Sequence, residues 1–149
     1  LDIISSVSQL EHWNEIDLEN IEPFTLVLFQ NHQLYQLRWD GTEKETTTLD
    51  IAQNYIWSSV ILYPKEIRET RSNWFYRFME TKSGITAAEM LDFHRYTEEE
   101  NPEKGLVINR NNELKTLSIT QSVIEKNKVT ILHCDLLSQK EFVTSLITV

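Results

Sequence analysis

Apolar residues near the start of the chain recur at helical spacing: Ile3, Ile4, Val7, Leu10 and Trp13 lie three or four positions apart and share one face. The pattern is already running at Leu1, with no Ser, Thr, Asp or Asn ahead of it to cap the first turn. This leads to the expectation that the chain is the C-terminal part of a longer protein. After a polar connection from Asn14 to Pro23, the period changes. Phe24 to Phe29 is a short, nearly continuous apolar run, which predicts a strand covered on both faces. Tyr35, Leu37 and Trp39 alternate with Gln36 and Arg38, predicting a second strand with one apolar face, joined to the first by a turn over Gln30 to Gln33. Asp40-Gly41 signals another turn, Lys44 to Leu49 reads as an edge-like strand of Thr and charge, and Tyr55 to Leu62 as a fourth, apolar strand.

The middle of the chain switches to a helical period. Pro64 suits a first helical position, Ile67, Arg71, Trp74, Phe75 and Phe78 follow on one face, and Gly84 suits the stop, predicting a helix over 64–82. Thr86-Ala87-Ala88-Glu89 is a capping box that starts a second helix over 86–96. Both helices are expected to cover one sheet. The acidic loop Glu98 to Glu103 ends this region, and strands over 106–109, 114–123 and 129–136 follow, with turns at Asn111-Asn112 and Lys126-Asn127. Strands grouped in runs, with helices between the groups, predict an α+β fold of antiparallel sheets with helices packed outside. With strands missing upstream, at least one sheet should end on an unpaired apolar edge, for which Phe24 to Phe29 and Leu114 to Val123 are the candidates because they lack Lys and Pro.

Composition narrows the classes. The 149 residues carry 14 Lys+Arg against 23 Asp+Glu, a formal charge of −9, and a duplex-binding role needs the opposite sign. No apolar run approaches the roughly 20 residues of a membrane helix. Three Gly and three Pro argue against a disordered chain, and a single cysteine favours a reducing, cytoplasmic compartment. These counts describe one acidic globular domain.

General catalytic and cofactor motifs are missing: there is no Gly-rich phosphate loop, His-Glu-x-x-His, Cys-x-x-Cys or Gly-x-Ser-x-Gly. In His133-Cys134-Asp135 the middle side chain points opposite to its neighbours on a strand, so Cys134 reads as a core thiol rather than a nucleophile. Asp92 and His94 lie about 200° apart around a helix, so with Glu89 they read as a solvated face rather than a metal site.

Several segments form a set. Ile21-Glu22-Pro23-Phe24-Thr25-Leu26-Val27, Leu37-Arg38-Trp39-Asp40-Gly41, Ile56-Trp57-Ser58-Ser59 with Leu62-Tyr63, Arg71-Ser72-Asn73-Trp74-Phe75, Asp92-Phe93-His94 and Thr116-Leu117-Ser118-Ile119-Thr120-Gln121 occur in the order of one family. Over almost its whole length the chain resembles the C-terminal part of the Bacteroidetes branch of the NRDE family, the family of the transport and Golgi organisation protein 2. The resemblance implies an N-terminal-nucleophile-hydrolase-like sandwich, two antiparallel sheets between helix layers. It also implies that a full-length relative begins with Met-Cys, followed by the Asn-Arg-Asp-Glu signature and a Gly-Gly-Thr-Trp stretch, none of which occurs here.

Such a nucleophile uses its own α-amino group, near pKa 8, as the base and needs donors for the oxyanion. Leu1 offers the amine without a nucleophile, so no catalytic residue carries over to this chain. Where other branches of the family carry Ser-Asn, this chain has Ser58-Ser59, which removes an amide donor. Trp57, Ser58, Ser59, Arg71, Ser118 and Thr120 remain as pocket candidates, the serines and threonine having ordinary strand hydrogen bonding as the alternative. Two roles follow from the resemblance: a pocket wall of an amide hydrolase completed by the missing N-terminal segment, or non-enzymatic binding of a small hydrophobic ligand such as lipid or haem. For haem the axial candidates would be His12, His32, His94 and His133. No metal or cofactor is expected from the residues themselves.

Overall fold

The computed structural model describes residues 2–147, less the side chains of Asp2 and Ile4, so the uncapped start expected at Leu1 lies outside the described residues. The fold is α+β, with antiparallel sheets and helices, and divides into two units, 1–55 and 56–149.

In the first unit the predicted opening helix is broken. A 3₁₀ turn spans Asp2–Ser5, and α1 begins only at Gln9 and ends at Glu15, with Ser8 in the N-cap position. Ser5-Ser6-Val7-Ser8 explains the break: three serines and a β-branched residue favour side-chain bonding to the local backbone over helix propagation, and the Ser6 hydroxyl donates to Ile3 O. Val7 consequently points to solvent instead of sharing the buried face. The three strands β1 (Phe24–Gln30), β2 (Gln33–Trp39) and β3 (Lys44–Leu49) form an antiparallel meander in that order. Asn31 and His32 both take positive φ between the paired Gln30 and Gln33, which is what a two-residue primed turn requires. In the second turn Asp40 accepts from the amides of Glu43 and Thr42, and these bonds, the Glu43 one first, hold its carboxyl below the usual range.

Register places Phe24, Leu26 and Leu28 opposite Trp39, Leu37 and Tyr35, so all six share one face. On that face Trp13, Leu37, Leu18, Ile3 and Trp39 form the buried cluster. The Trp13 indole donates to Thr46 Oγ1 at 3.0 Å, and the Trp39 indole donates to Ile21 O at 2.9 Å. The expectation that β1 is covered on both faces fails, because Val27 and Phe29 on the opposite face are exposed. A continuous apolar run thus serves a strand with a single covered face. β1 is an outer strand of its sheet.

In the second unit the predicted strand over 55–62 does not form. The segment is irregular and closes in a turn where Ser59 Oγ accepts from the Leu62 amide and Ser59 O accepts from the Tyr63 amide. Val60, Ile61 and Leu62 are exposed. Helix α2 spans Lys65–Glu80 with Pro64 one position earlier than expected, at the N-cap, and α3 spans Ala87–Tyr96 behind the predicted capping box. Gly84, at φ +77°, lies in the link between them, where an L side chain would be strained. Of the predicted aromatic face of α2, Phe75 is buried while Trp74 and Phe78 are half-buried. Phe75 meets Phe93 of α3 edge to face at 5.9 Å, and Phe78 stacks on it at 4.7 Å.

The expected strand over 106–109 shrinks to β4 (Asn109–Arg110), and that over 114–123 splits into β5 (Leu114–Lys115) and β6 (Ser118–Glu125). β7 (Lys128–Asp135) is close to its predicted limits, and a further strand, β8 (Lys140–Ile147), was not expected. The order β6-β7-β8 is antiparallel throughout. α3 lies against β6, with Gln121 Nε2 donating to Ala87 O at 2.7 Å and Arg95 reaching Glu141 on β8. α2 is held to this layer through α3 and its phenylalanines. Among the described residues no helix is long and apolar enough to cross a membrane.

The capping box makes a pH prediction. Glu89 is paired with Lys82 and accepts from the Thr86 amide and hydroxyl, in that order of influence, which lowers its pKa from 4.5 to about 2. A depressed carboxyl stabilises the fold above its unfolded pKa and loses that contribution as pH falls through the folded one. The start of α3 should therefore stay capped at pH 5 and above and loosen between about 4.5 and 2. An NMR titration should place the Glu89 carboxyl midpoint well below 4 and move the Thr86 amide with it.

Candidate functional site

The six predicted pocket residues fall in separate local settings of the second unit. Trp57 is exposed, Ser58 is half-buried, and the Ser59 hydroxyl is occupied by the Leu62 amide in the turn before Tyr63. Arg71 is buried, and it is the one buried charged side chain among the described residues. Its guanidinium stacks on the Tyr63 ring at 3.7 Å and donates to Lys104 O, at 3.3 Å from Nε and from Nη2, and to Gly105 O. Arg110 approaches the same ring at 5.2 Å. These contacts fix Arg71 as the clamp of a loop; they use Nε and Nη2, the side-on fork that a ligand carboxylate would otherwise meet.

The clamped loop follows α3 and is tightly bonded. The amides of Asn101, Lys104, Gly105, Leu106 and Asn109 donate to carbonyls within 97–105, and the Ile108 amide donates to Thr116 Oγ1. At Gly105 a Cβ would lie 2.4 Å from Glu98 O, so the backbone approach admits no side chain. Glu98, Glu99 and Glu100 stay exposed on this frame, as expected for a solvated charge run.

Ser118 and Thr120 lie on β6, on the sheet face that also carries Asp135 and His133 of β7. Thr120 Oγ1 and His133 Nδ1 are 2.9 Å apart, and the His133 ring lies 6.3 Å from Phe142 of β8. Asp135 sits below its usual pKa, chiefly because the Ser138 amide donates to it, with lesser help from the Leu137 amide and the His133 ring. A hydroxyl and an imidazole in contact can pass a proton, but here they form a cross-strand pair on a flat, open strand surface.

Cys134 points to the other face, as the strand alternation requires, and is only 1% exposed. Its thiol donates to Glu141 Oε1 at 3.6 Å, and the same carboxylate oxygen takes Arg95 Nη2 at 2.8 Å. Burial first and the Glu141 charge second push the Cys134 thiol above its ordinary pKa, whereas the Arg95 bond lowers that of Glu141. A nucleophilic cysteine needs the opposite environment, exposed and electropositive. Sequence spacing gave no sign of this Arg95–Glu141–Cys134 contact, since Glu141 lies on the strand that was missed.

The histidines considered for haem occupy unrelated elements. His12 is on α1, His32 in the first hairpin turn, His94 on α3 with Nδ1 donating to Met90 O at 2.9 Å, and His133 is paired with Thr120. Among the described residues no group of three His, Cys, Asp or Glu side chains could hold a metal ion. An open cleft of about 850 Å³ belongs to the first unit, between the 16–23 connection and the second hairpin turn, lined by Asp17, Leu18, Ile21, Pro23, Trp39 and Lys44 among others. Lys44 Nζ already donates there to Asn14 O and Ile16 O. No family model, curated protein or solved structure matches the chain.

Proposed function

We propose that this chain is the C-terminal part of an NRDE-family protein with a layered, N-terminal-nucleophile-hydrolase-like architecture, and that it serves as scaffold and pocket wall without a nucleophile of its own. The ordered set of segments from Ile21 to Gln121 supports the family. Each three-stranded sheet has helical cover on one face and apolar residues on the other (Val27, Phe29 and Leu34 in one; Ile124, Phe142 and Leu146 in the other), which is the two-sided pattern each layer of such a sandwich needs. The observation that carries the absence of a nucleophile is Cys134, buried and held protonated beside a carboxylate.

The purified chain should therefore turn over neither amide nor ester substrates. Hydrolysis that Cys134→Ala abolishes would overturn this reading. For the family assignment, the coding sequence upstream of Leu1 should specify Met-Cys and the Asn-Arg-Asp-Glu signature, and joining that segment to the chain should produce thiol-dependent hydrolysis if the complete protein is an enzyme. An upstream sequence without either element would remove the family assignment.

A further inference from the structure

β8 is the outer strand of its sheet, and all eight of its residues are exposed. Phe142 and Leu146 stand on one face at 55% and 54% exposure, Val143 and Ile147 on the other at 66% and 74%. Outer strands are ordinarily protected by charge, Pro or a bulge. Beyond Glu141, β8 has none of these, and its register with β7 runs unbroken from Lys140 to Ile147. Of the other outer strands in the three-stranded sheets, β3 begins Lys44-Glu45 and continues in threonines, β6 lies against α3, and β1 shares the edge chemistry of β8 but packs one face against the cluster around Trp13.

We propose that β8 pairs antiparallel with β8 of a second copy of this chain, about a two-fold axis at Thr144, to make one continuous sheet. A two-fold axis perpendicular to the sheet keeps every side chain on its own face, so even-numbered residues must oppose even-numbered ones. Centring on Thr144 sets Phe142 opposite Leu146 of the second copy, Val143 opposite Ser145, and Glu141 opposite Ile147. Aromatic–aliphatic pairs of the first kind are the stabilising unit of antiparallel pairing, and no like charges meet. Ile147 neighbours Lys128 in register, and Lys128 lies on the face that carries Glu141. Each Glu141 therefore faces the second copy's Lys128 two strands away, about 10 Å, at both ends of the seam. The seam over 141–147 is about 24 Å long. That is a small interface, below the roughly 1,200 Å² of standard complexes, so the dimer is a transient one.

Sedimentation velocity on the whole chain from about 5 to about 200 µM should show a monomer–dimer equilibrium with a dissociation constant of about 10–100 µM. Association should tighten as salt screens the −9 charge of each copy. Leu146→Lys, at an exposed position, should preserve the circular dichroism spectrum and weaken the dimer by at least about tenfold. Independently, Thr144→Cys brings two thiols together on Cα atoms about 4.5–5.5 Å apart, so mild oxidation should link the copies. Ser138→Cys, in the turn between β7 and β8, should not cross-link, and Cys134 is buried in both variants. A chain that stays monomeric at the highest concentration leaves the edge to a strand of another protein and overturns the proposal. So does a dimer that Leu146→Lys leaves intact, or one in which Ser138→Cys links as readily as Thr144→Cys.

Discussion

Replacing Trp13 by Ala should destabilise the first unit by about 3–5 kcal/mol, the range for deleting a fully buried large aromatic. Trp13 is 1% exposed at the centre of the cluster with Leu37, Leu18, Ile3 and Trp39, and its ring meets Phe24 edge to face at 6.0 Å. The Lys44 ammonium sits 5.7 Å from the ring centre, adding an attraction that Ala cannot supply. Small domains have total stabilities of about 5–15 kcal/mol, so a loss of this size should leave much of the unit unfolded at room temperature. Trp13→Phe separates the contributions. It keeps most of the apolar volume and loses the indole bond to Thr46, whose side chain is exposed and can turn to water. That variant should cost about 1–2 kcal/mol. Urea unfolding followed by far-UV circular dichroism should give the ordering Trp13→Ala well above Trp13→Phe. Near-equal costs would mean that the hydrogen bond, and not the packing, holds this core.

Tyr35, Leu37 and Trp39 were legible because alternation on a half-covered strand is a local signal, and their registered partners on β1 followed from the short turn at Asn31-His32. The segment over 55–62 misled because an apolar run carries no period. What decides its structure is the Ser59 turn and the Pro64 cap immediately after it, which close the backbone on itself. β8 was missed for a different reason. The turn before it has Asp135 accepting from the Leu137 and Ser138 amides and Gln139 at φ +55°, so a glutamine occupies a left-handed position that Gly or Asn would have advertised. The candidate site was the least legible part. Hydroxyl-bearing and charged residues were identified by type, but residue type does not name the partner that occupies each group: the Leu62 amide for Ser59, the His133 ring for Thr120, and for Arg71 two carbonyls far away in the chain.

Arg71 shows this most sharply, and its removal should have the second large effect. From spacing it belongs to the inward face of α2 with Phe75 and Phe78, where an arginine looks misplaced. The structure gives it partners 33 and 34 residues away, the carbonyls of Lys104 and Gly105, with the Tyr63 ring as a lid on the guanidinium. Arg71→Ala removes a charged donor from two carbonyls at about 1–3 kcal/mol each, together with a stacking contact, so the second unit should lose about 3–5 kcal/mol. Arg71→Lys keeps the charge but not the planar fork that reaches both carbonyls while lying flat on the ring, and should still cost about 1–3 kcal/mol. The loss should also be local before it is global. The backbone at Gly105 is packed against Glu98 O and Asn101 O, and without the clamp the loop is left to its neutral backbone bonds, among them the amides of Gly105 to Asn101 O and of Leu106 to Thr97 O. Hydrogen exchange at the amides of Lys104, Gly105 and Leu106 should therefore accelerate in Arg71→Lys under conditions where β6 and β7 remain protected. If exchange there rises only in step with that of the strands, Arg71 is a general packing residue of α2 and not the clamp of the loop.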